Sequence, residues 1–217
     1  MGDTEAMSDD LKGMQEDTAW RTQLLSAIAQ LPEHVEIPYE RTPEGERMAT
    51  FRKMCPPQFM CKVDRTLLKD PAAFDRVSQW DGSFPGPMAY GAADTAKTRS
   101  VWIALGRLYV RQNRPFAWFP AKRLMSEMHE ADEAGALDSF FRRYAHFPVL
   151  MVDDLEEINW DFGSNTELIF SFYDWIYREK RSCLTTSNKG QDWWLERTGE
   201  GLTRRLFKDG HFAVEFK

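Results

Sequence analysis

Gly91-Ala92-Ala93-Asp94-Thr95-Ala96-Lys97-Thr98 is the stretch that decides how this 217-residue chain is read. It follows a short apolar run, Met88-Ala89-Tyr90, and opens a segment from about Lys97 to Arg111 whose apolar residues recur at helical spacing. A strand, a Gly-led loop and a helix in that order form the frame GxxxxGK(S/T) of a phosphate-binding loop, with Ala96 at the second glycine. Such a loop turns backbone N–H groups toward phosphates at a helix N-terminus, where the helix dipole favours anions. Lys97 is placed to reach the β and γ phosphates of ATP, and the Thr98 hydroxyl to ligate Mg²⁺. Gly91, Ala92, Ala93, Asp94, Thr95, Ala96 and Arg99 complete the candidate nucleotide-binding set.

Asp94 and Ala96 stand where many such loops carry glycine, which accepts backbone angles and close approaches that a Cβ hinders. Papillomavirus-type helicases resemble this loop with Asp at the first place, and minichromosome-maintenance helicases resemble it with Ala before the Lys. The alternative to a phosphate loop is an ordinary helix N-terminus that carries a Lys-Thr pair.

Downstream, Val149-Leu150-Met151-Val152-Asp153-Asp154 is an apolar strand that ends in two carboxylates, the Walker B pattern. Mg²⁺ keeps several waters and needs only one or two carboxylates, so Asp153 joins Thr98 as a candidate metal ligand. Asp154 occupies the place of the group that orients or activates the attacking water. That group is usually Glu, and the shorter Asp side chain implies slow hydrolysis. Glu156 and Glu157 read as an exposed acidic turn. A strand that simply ends in solvated acids is the alternative.

Leu184-Thr185-Thr186-Ser187-Asn188 is a further strand with a polar tip, and Asn188 is the candidate to sense the γ-phosphate or the attacking water. Thr203-Arg204-Arg205-Leu206-Phe207 lies in a helix of about 199–207, just before a closing strand at 212–216. Arg204 or Arg205 is the candidate to cross a subunit interface and stabilise charge on the transferring phosphoryl group. A turn Asn and two surface arginines are the corresponding alternatives.

Around these motifs, strands at 88–90, 115–119, 148–152, 182–187 and 212–216 alternate with helices at 97–111, 121–130, 134–145 and 165–178. This alternation predicts an α/β fold with a five-stranded parallel sheet covered by helices on both faces. Before the loop, helices are expected at about 17–31, 44–54 and 71–80, after a disordered start, and a Gly/Pro-rich linker at 81–87. The expected organisation is a helical extension, 1–86, and a core, 87–217.

A net charge of −6 is unlike that of a protein that coats DNA nonspecifically. The charge is uneven, with 15 acidic and 10 basic residues in 1–90 against 19 and 18 in 91–217. No apolar run approaches the roughly 20 residues needed to span a bilayer and no signal segment opens the chain, so a cytoplasmic location without membrane contact is expected. Cys55, Cys61 and Cys183 are too few for a disulfide framework, and no His lies between residues 35 and 128 to complete a zinc site near the first two.

The four elements in this order, Gly91 to Thr98, Asp153-Asp154, Ser187-Asn188 and Arg204-Arg205, resemble the DnaC-type helicase loaders and the related transposition-helper ATPases of the AAA+ type. Lys122 to Glu130 also resembles a helix that those loaders carry after the second strand. The resemblance covers about 87–217. It implies a P-loop NTPase core without a C-terminal lid, ATP-dependent assembly into homo-oligomers, contact with single-stranded DNA, and a replicative helicase as partner. It places DNA contact between the second and third strands, where Phe140, Phe141, Arg142 and Arg143 fall. The bland reading of those four is two core phenylalanines and two solvated arginines. The function so implied is a DNA replication helicase loader with a slow or degenerate ATPase. A transposition helper and a non-hydrolysing scaffold are the alternatives.

Overall fold

The computed structural model describes residues 42–217, so the start and first helix expected within 1–41 lie outside the described residues. Five strands, β1 (Gly86–Gly91), β2 (Phe116–Pro120), β3 (Val149–Asp153), β4 (Ser182–Ser187) and β5 (His211–Phe216), form one parallel sheet in the order β2-β3-β4-β1-β5. Among the described residues the α-helices are α1 (Pro43–Met54), α2 (Pro71–Ser78), α3 (Lys97–Gln112), α4 (Ala121–Glu133), α5 (Leu137–Tyr144), α6 (Gly163–Arg178) and α7 (Gln191–Arg204).

Successive strand residues point to opposite faces, so each strand divides its apolar side chains between two cores. Ala89, Val149, Met151, Leu184 and Val214 face one side, where Phe51, Phe74, Val77, Trp102, Leu105 and Leu108 from α1, α2 and α3 cover them. Met88, Leu150, Val152 and Cys183 face the other, against Leu124, Phe172, Ile176 and Leu202 from α4, α6 and α7. Residues 43–80, expected as part of an extension, thus supply much of one face, and 43–217 form a single compact unit.

Local signals explain most boundaries. The Asp70 carboxylate accepts from Ala73 N at 3.0 Å and Pro71 takes the first helical place, so α2 is capped as expected. The last helix differs from the sequence reading. A helical stretch from Gln191 precedes the one expected from about Gly199, because Trp194 is fully buried edge-on against Trp160 and pulls that turn onto the core. Gly199, at φ 79°, then breaks the helical path, and a π-helical turn at Arg205–Asp209 leads into β5. Cys55 and Cys183 are buried thiols while Cys61 is exposed. Among the described residues no helix is long and apolar enough to cross a membrane.

Candidate functional site

The strand order brings the ends of β3, β4 and β1 side by side, with β4 in the middle. Ligands of open parallel sheets bind beyond these carboxyl ends. The phosphate-loop sequence leaves β1 at Gly91, whose φ is 131° and where a Cβ would stand 2.0 Å from the Phe216 carbonyl oxygen. Packing against β5 therefore demands glycine there, whatever the loop binds. Asp94 (φ 56°) and Ala96 (φ 66°) both adopt the left-handed conformation for which similar loops use glycine. The chain accepts that strain and still builds the turn.

Lys97 is buried, and its ammonium donates to the Gly91 carbonyl at 3.1 Å, to the Ala92 carbonyl and to Thr95 Oγ1 at 3.2 Å. Thr95 in turn donates to Ala92 O at 2.8 Å. All three N–H donors of the ammonium are thus spent on the loop itself. Burial pulls Lys97 below the usual lysine range, against the opposing fields of Glu156, Asp154, Asp94 and Asp153.

Asp153, at the end of β3, accepts on Oδ1 from Thr98 Oγ1 at 3.0 Å and from Thr186 Oγ1 at 2.6 Å. Thr186 Oγ1 also accepts from Asp154 N at 2.8 Å. One β4 hydroxyl thus ties the two aspartates together. Burial raises the Asp153 carboxyl above its ordinary value, although both hydroxyls oppose the shift. Asp154, in the left-handed region at φ 54°, is pushed up to about 6 by burial, with the charges of Asp153, Glu156 and Glu157 adding to it. Two adjacent carboxylates that resist ionisation beside a buried lysine form a site that a dication would relieve.

The structure thus joins Lys97, Thr98, Asp153 and Asp154. Thr186 belongs with them and was not singled out from the sequence, where Asn188 drew attention as the more polar tip. Asn188 itself is exposed just beyond β4. The Arg99 guanidinium turns away from the loop and donates to Gln58 O at 2.5 Å. The exposed acidic turn expected at 156–157 is half wrong. Glu157 is exposed and pairs with Lys122 at 3.0 Å, but both Glu156 carboxylate oxygens are shielded from solvent and accept no hydrogen bond among the described residues.

Arg204 and Arg205 precede His211, which pairs with Gly86 at the start of β1, so they lie at the opposite end of the strands from the phosphate loop. Arg205 Nη2 donates to Asp174 at 2.9 Å and its Nη1 to Asp209 at 2.9 Å, while the guanidinium stacks 4.1 Å over the Tyr177 ring. Arg204 is more exposed and pairs with Asp209 at 3.1 Å. Of the four residues between β2 and β3 expected near DNA, Phe140 is buried and Phe141 stacks 5.1 Å from Trp175, while Arg142 and Arg143 are exposed. Neither phenylalanine is free to stack a base.

No family model and no curated protein matches the sequence. Solved structures do match. A DnaC helicase loader aligns with a TM-score of 0.58 at 18% identity over 70% of this chain and 94% of its own. DnaI aligns with a TM-score of 0.56 at 15% identity over 75% and 92%. AMPPCP-bound DnaA from Aquifex aeolicus aligns with a TM-score of 0.57 at 17% identity over 75% of this chain and 50% of its own. The chain covers 44% of the DnaA solved with AMPPCP and single-stranded DNA, so it spans half or less of these initiators. The five-stranded parallel sheet and its flanking helices are therefore similar in fold to the AAA+ P-loop domains of DnaC-type helicase loaders and DnaA initiators.

Proposed function

We propose that this chain is an ATP-binding AAA+ protein that acts as a DNA replication helicase loader, using ATP to assemble on single-stranded DNA with a replicative helicase. The observation that carries the nucleotide half is the bonding of Thr98 and Thr186 to one oxygen of Asp153, beside the buried Lys97. The donor set is oxygen-only and anionic, which suits Mg²⁺. Thr98 and Asp153 would hold the ion, which when bound neutralises phosphate charge.

The residues divide the work. The N–H groups at the start of α3 receive the phosphates, and Lys97 exchanges its loop carbonyls for phosphate oxygens. Thr186 holds the Asp153 carboxylate and the Asp154 backbone, so the Asp153 carboxylate is preorganised. Arg204, exposed at the far end of the strands, is the arginine suited to reach a neighbouring copy's nucleotide, since Arg205 is held inside its own protomer. The loader half rests on the likeness to DnaC and DnaI, of which this chain spans nearly the whole aligned length.

A second reading, the non-hydrolysing scaffold, is favoured by the left-handed Asp94 and Ala96. Calorimetry with Mg·ATP and Mg·ADP on wild type and Lys97→Ala separates the two. The nucleotide reading expects micromolar binding that weakens about 100-fold or more in the variant, the worth of a charge-assisted contact to phosphate. No binding by wild type at millimolar nucleotide would overturn it in favour of the scaffold. Capture of a hexameric helicase by the full chain supports the loader, whereas capture of a transposase in its place supports a transposition helper.

A further inference from the structure

At the amino ends of the strands, away from the phosphate loop, two helices finish in the same way. The chain leaves α3 through Asn113 and α6 through Lys180, both left-handed, at φ 52° and φ 48°. An arginine follows each time, and its N–H reaches back to the helix, Arg114 N to Leu108 O at 3.1 Å and Arg181 N to Ile176 O at 2.9 Å. The helices that connect parallel strands end on this side of the sheet. The two turns therefore meet at one cavity of about 500 Å³, which the loop leading into β1 also lines.

Three cations line this cavity, and they are placed without being neutralised. Arg114 donates from Nη1 to Asp81 O at 3.1 Å and from Nη2 to Gly82 O at 2.8 Å, which uses two of its five N–H groups. Gly82, at φ 86°, is required there, since a Cβ would stand 2.2 Å from Arg114 Nη1. The Gly82 carbonyl also accepts from the buried Ser182 Oγ at 2.6 Å. The Arg181 guanidinium lies 4.8 Å over the Trp175 ring and donates from Nη1 to Phe147 O at 3.3 Å. Its Nε is shielded, whereas Nη2 is neither shielded nor bonded among the described residues. Lys180 is exposed. Among the described residues no carboxylate pairs with any of the three, although Arg178, on the same helix end, pairs with Asp174 at 2.9 Å.

A guanidinium held by carbonyls keeps both its position and its charge, the state of a side chain prepared for an anion. Asp81 and Glu179, both exposed, line the cavity too, and Asp81 Oδ1 accepts from Ser83 N at 2.9 Å. Three positive and two negative side chains leave an excess of one positive charge. Selection therefore rests on directed N–H groups and not on a broad field. One guanidinium fork satisfies a planar carboxylate, whereas donors arriving from three side chains suit the several oxygens of a phosphate group.

We propose that this cavity binds a phosphate group, held by Arg114, Lys180 and Arg181, as free phosphate or on a nucleic-acid strand. The site is separate from the phosphate loop and does not rest on the nucleotide reading.

The test titrates inorganic phosphate, and separately a labelled single-stranded oligothymidylate, into the full chain without nucleotide. Lys180→Gly is the decisive variant, because glycine accepts the left-handed turn at no steric cost and the thermal midpoint should not fall. Lys180→Gly and Arg181→Gln should each weaken inorganic phosphate about 10-fold, the loss of one charged hydrogen-bonding partner. Lys97→Ala, at the other end of the strands, should stay within about twofold of wild type. Oligothymidylate that binds more tightly than inorganic phosphate and weakens in the same variants, with a salt slope smaller by about 0.7, assigns the group to a nucleic-acid strand. Inorganic phosphate bound without the oligonucleotide assigns it to free phosphate, and either result supports the site. Binding unchanged in Lys180→Gly and Arg181→Gln, binding lost only in Lys97→Ala, or no binding of either probe at millimolar concentration would overturn it.

Discussion

Two polar clusters lie at opposite ends of the strands of the same sheet, and they are built on opposite principles. Around Arg205 the charges balance. One guanidinium meets Asp174 and Asp209 and stacks on Tyr177, and the His211 ring bridges the Arg205 carbonyl and Thr185. Around Lys97 they do not. One ammonium faces four carboxylates, two aspartate carboxyls are raised, one glutamate has no donor among the described residues, and three non-glycine residues, Asp94, Ala96 and Asp154, are left-handed. A satisfied network holds a fold together, whereas an unsatisfied one is kept for something that arrives later.

The sharpest way to break this contrast is to remove Arg205. Arg205→Ala leaves Asp174 and Asp209, each about one-fifth exposed, without their shared partner. Arg178 still pairs with Asp174 and Arg204 with Asp209, so what is lost is the charged hydrogen bonds, about 2–3 kcal/mol in chemical denaturation, with nucleotide affinity unchanged. If stability is unchanged and nucleotide-driven assembly is lost, Arg205 is the interface arginine and the contrast fails.

Acid separates the clusters next. A carbonyl only accepts, so the His211 proton lies on Nδ1 toward Arg205 O and Nε2 accepts from Thr185. Burial lowers His211 to about 4, below the 6.5 of an unfolded histidine. Between those values the unfolded chain binds more protons, so the stability His211 contributes is complete above pH 6.5 and is lost as pH falls toward 4. At pH 5 the loss is roughly 2 kcal/mol relative to pH 8. Asp154 acts in reverse. Its folded pKa is raised to about 6, so its protonated form favours the native state at low pH and that benefit disappears as pH rises through 6. Denaturation of wild type and His211→Gln from pH 8 to 5 isolates the first effect as a smaller loss in the variant. Parallel curves would show that the histidine is not buried neutral.

The smallest effect tests strain at the phosphate end. Ala96→Gly relieves a left-handed alanine and should stabilise the protein by about 0.5–1 kcal/mol, net of glycine's greater freedom when unfolded. No gain, or a loss, would mean that the loop relaxes when the residue is changed.

Much of this was legible in the chain, and unequally. Asp70-Pro71 announced α2, alternation of apolar strands with helical segments announced the parallel sheet, and Gly91 to Thr98 with Asp153-Asp154 named groups that the fold brings together. These signals are local, written in neighbours one to four residues apart. The start of α7 was missed because its cause, Trp194 against Trp160, spans 34 positions. Thr186 was passed over because a threonine within a strand looks like any β-former until the neighbouring strand is known.

By itself, then, the sequence determined the class of fold, the chemistry available and the identity of most groups gathered at the carboxyl end of the sheet, since local pattern governs where strands end and helices begin. Only the tertiary structure decided that β4 lies between β3 and β1, so that Thr186 ties Asp153 to Asp154. It alone decided that Glu156 turns inward while Glu157 turns out, and that Arg205 is consumed within its own protomer. Strand order and burial depend on contacts between distant residues, and no short stretch of sequence contains those.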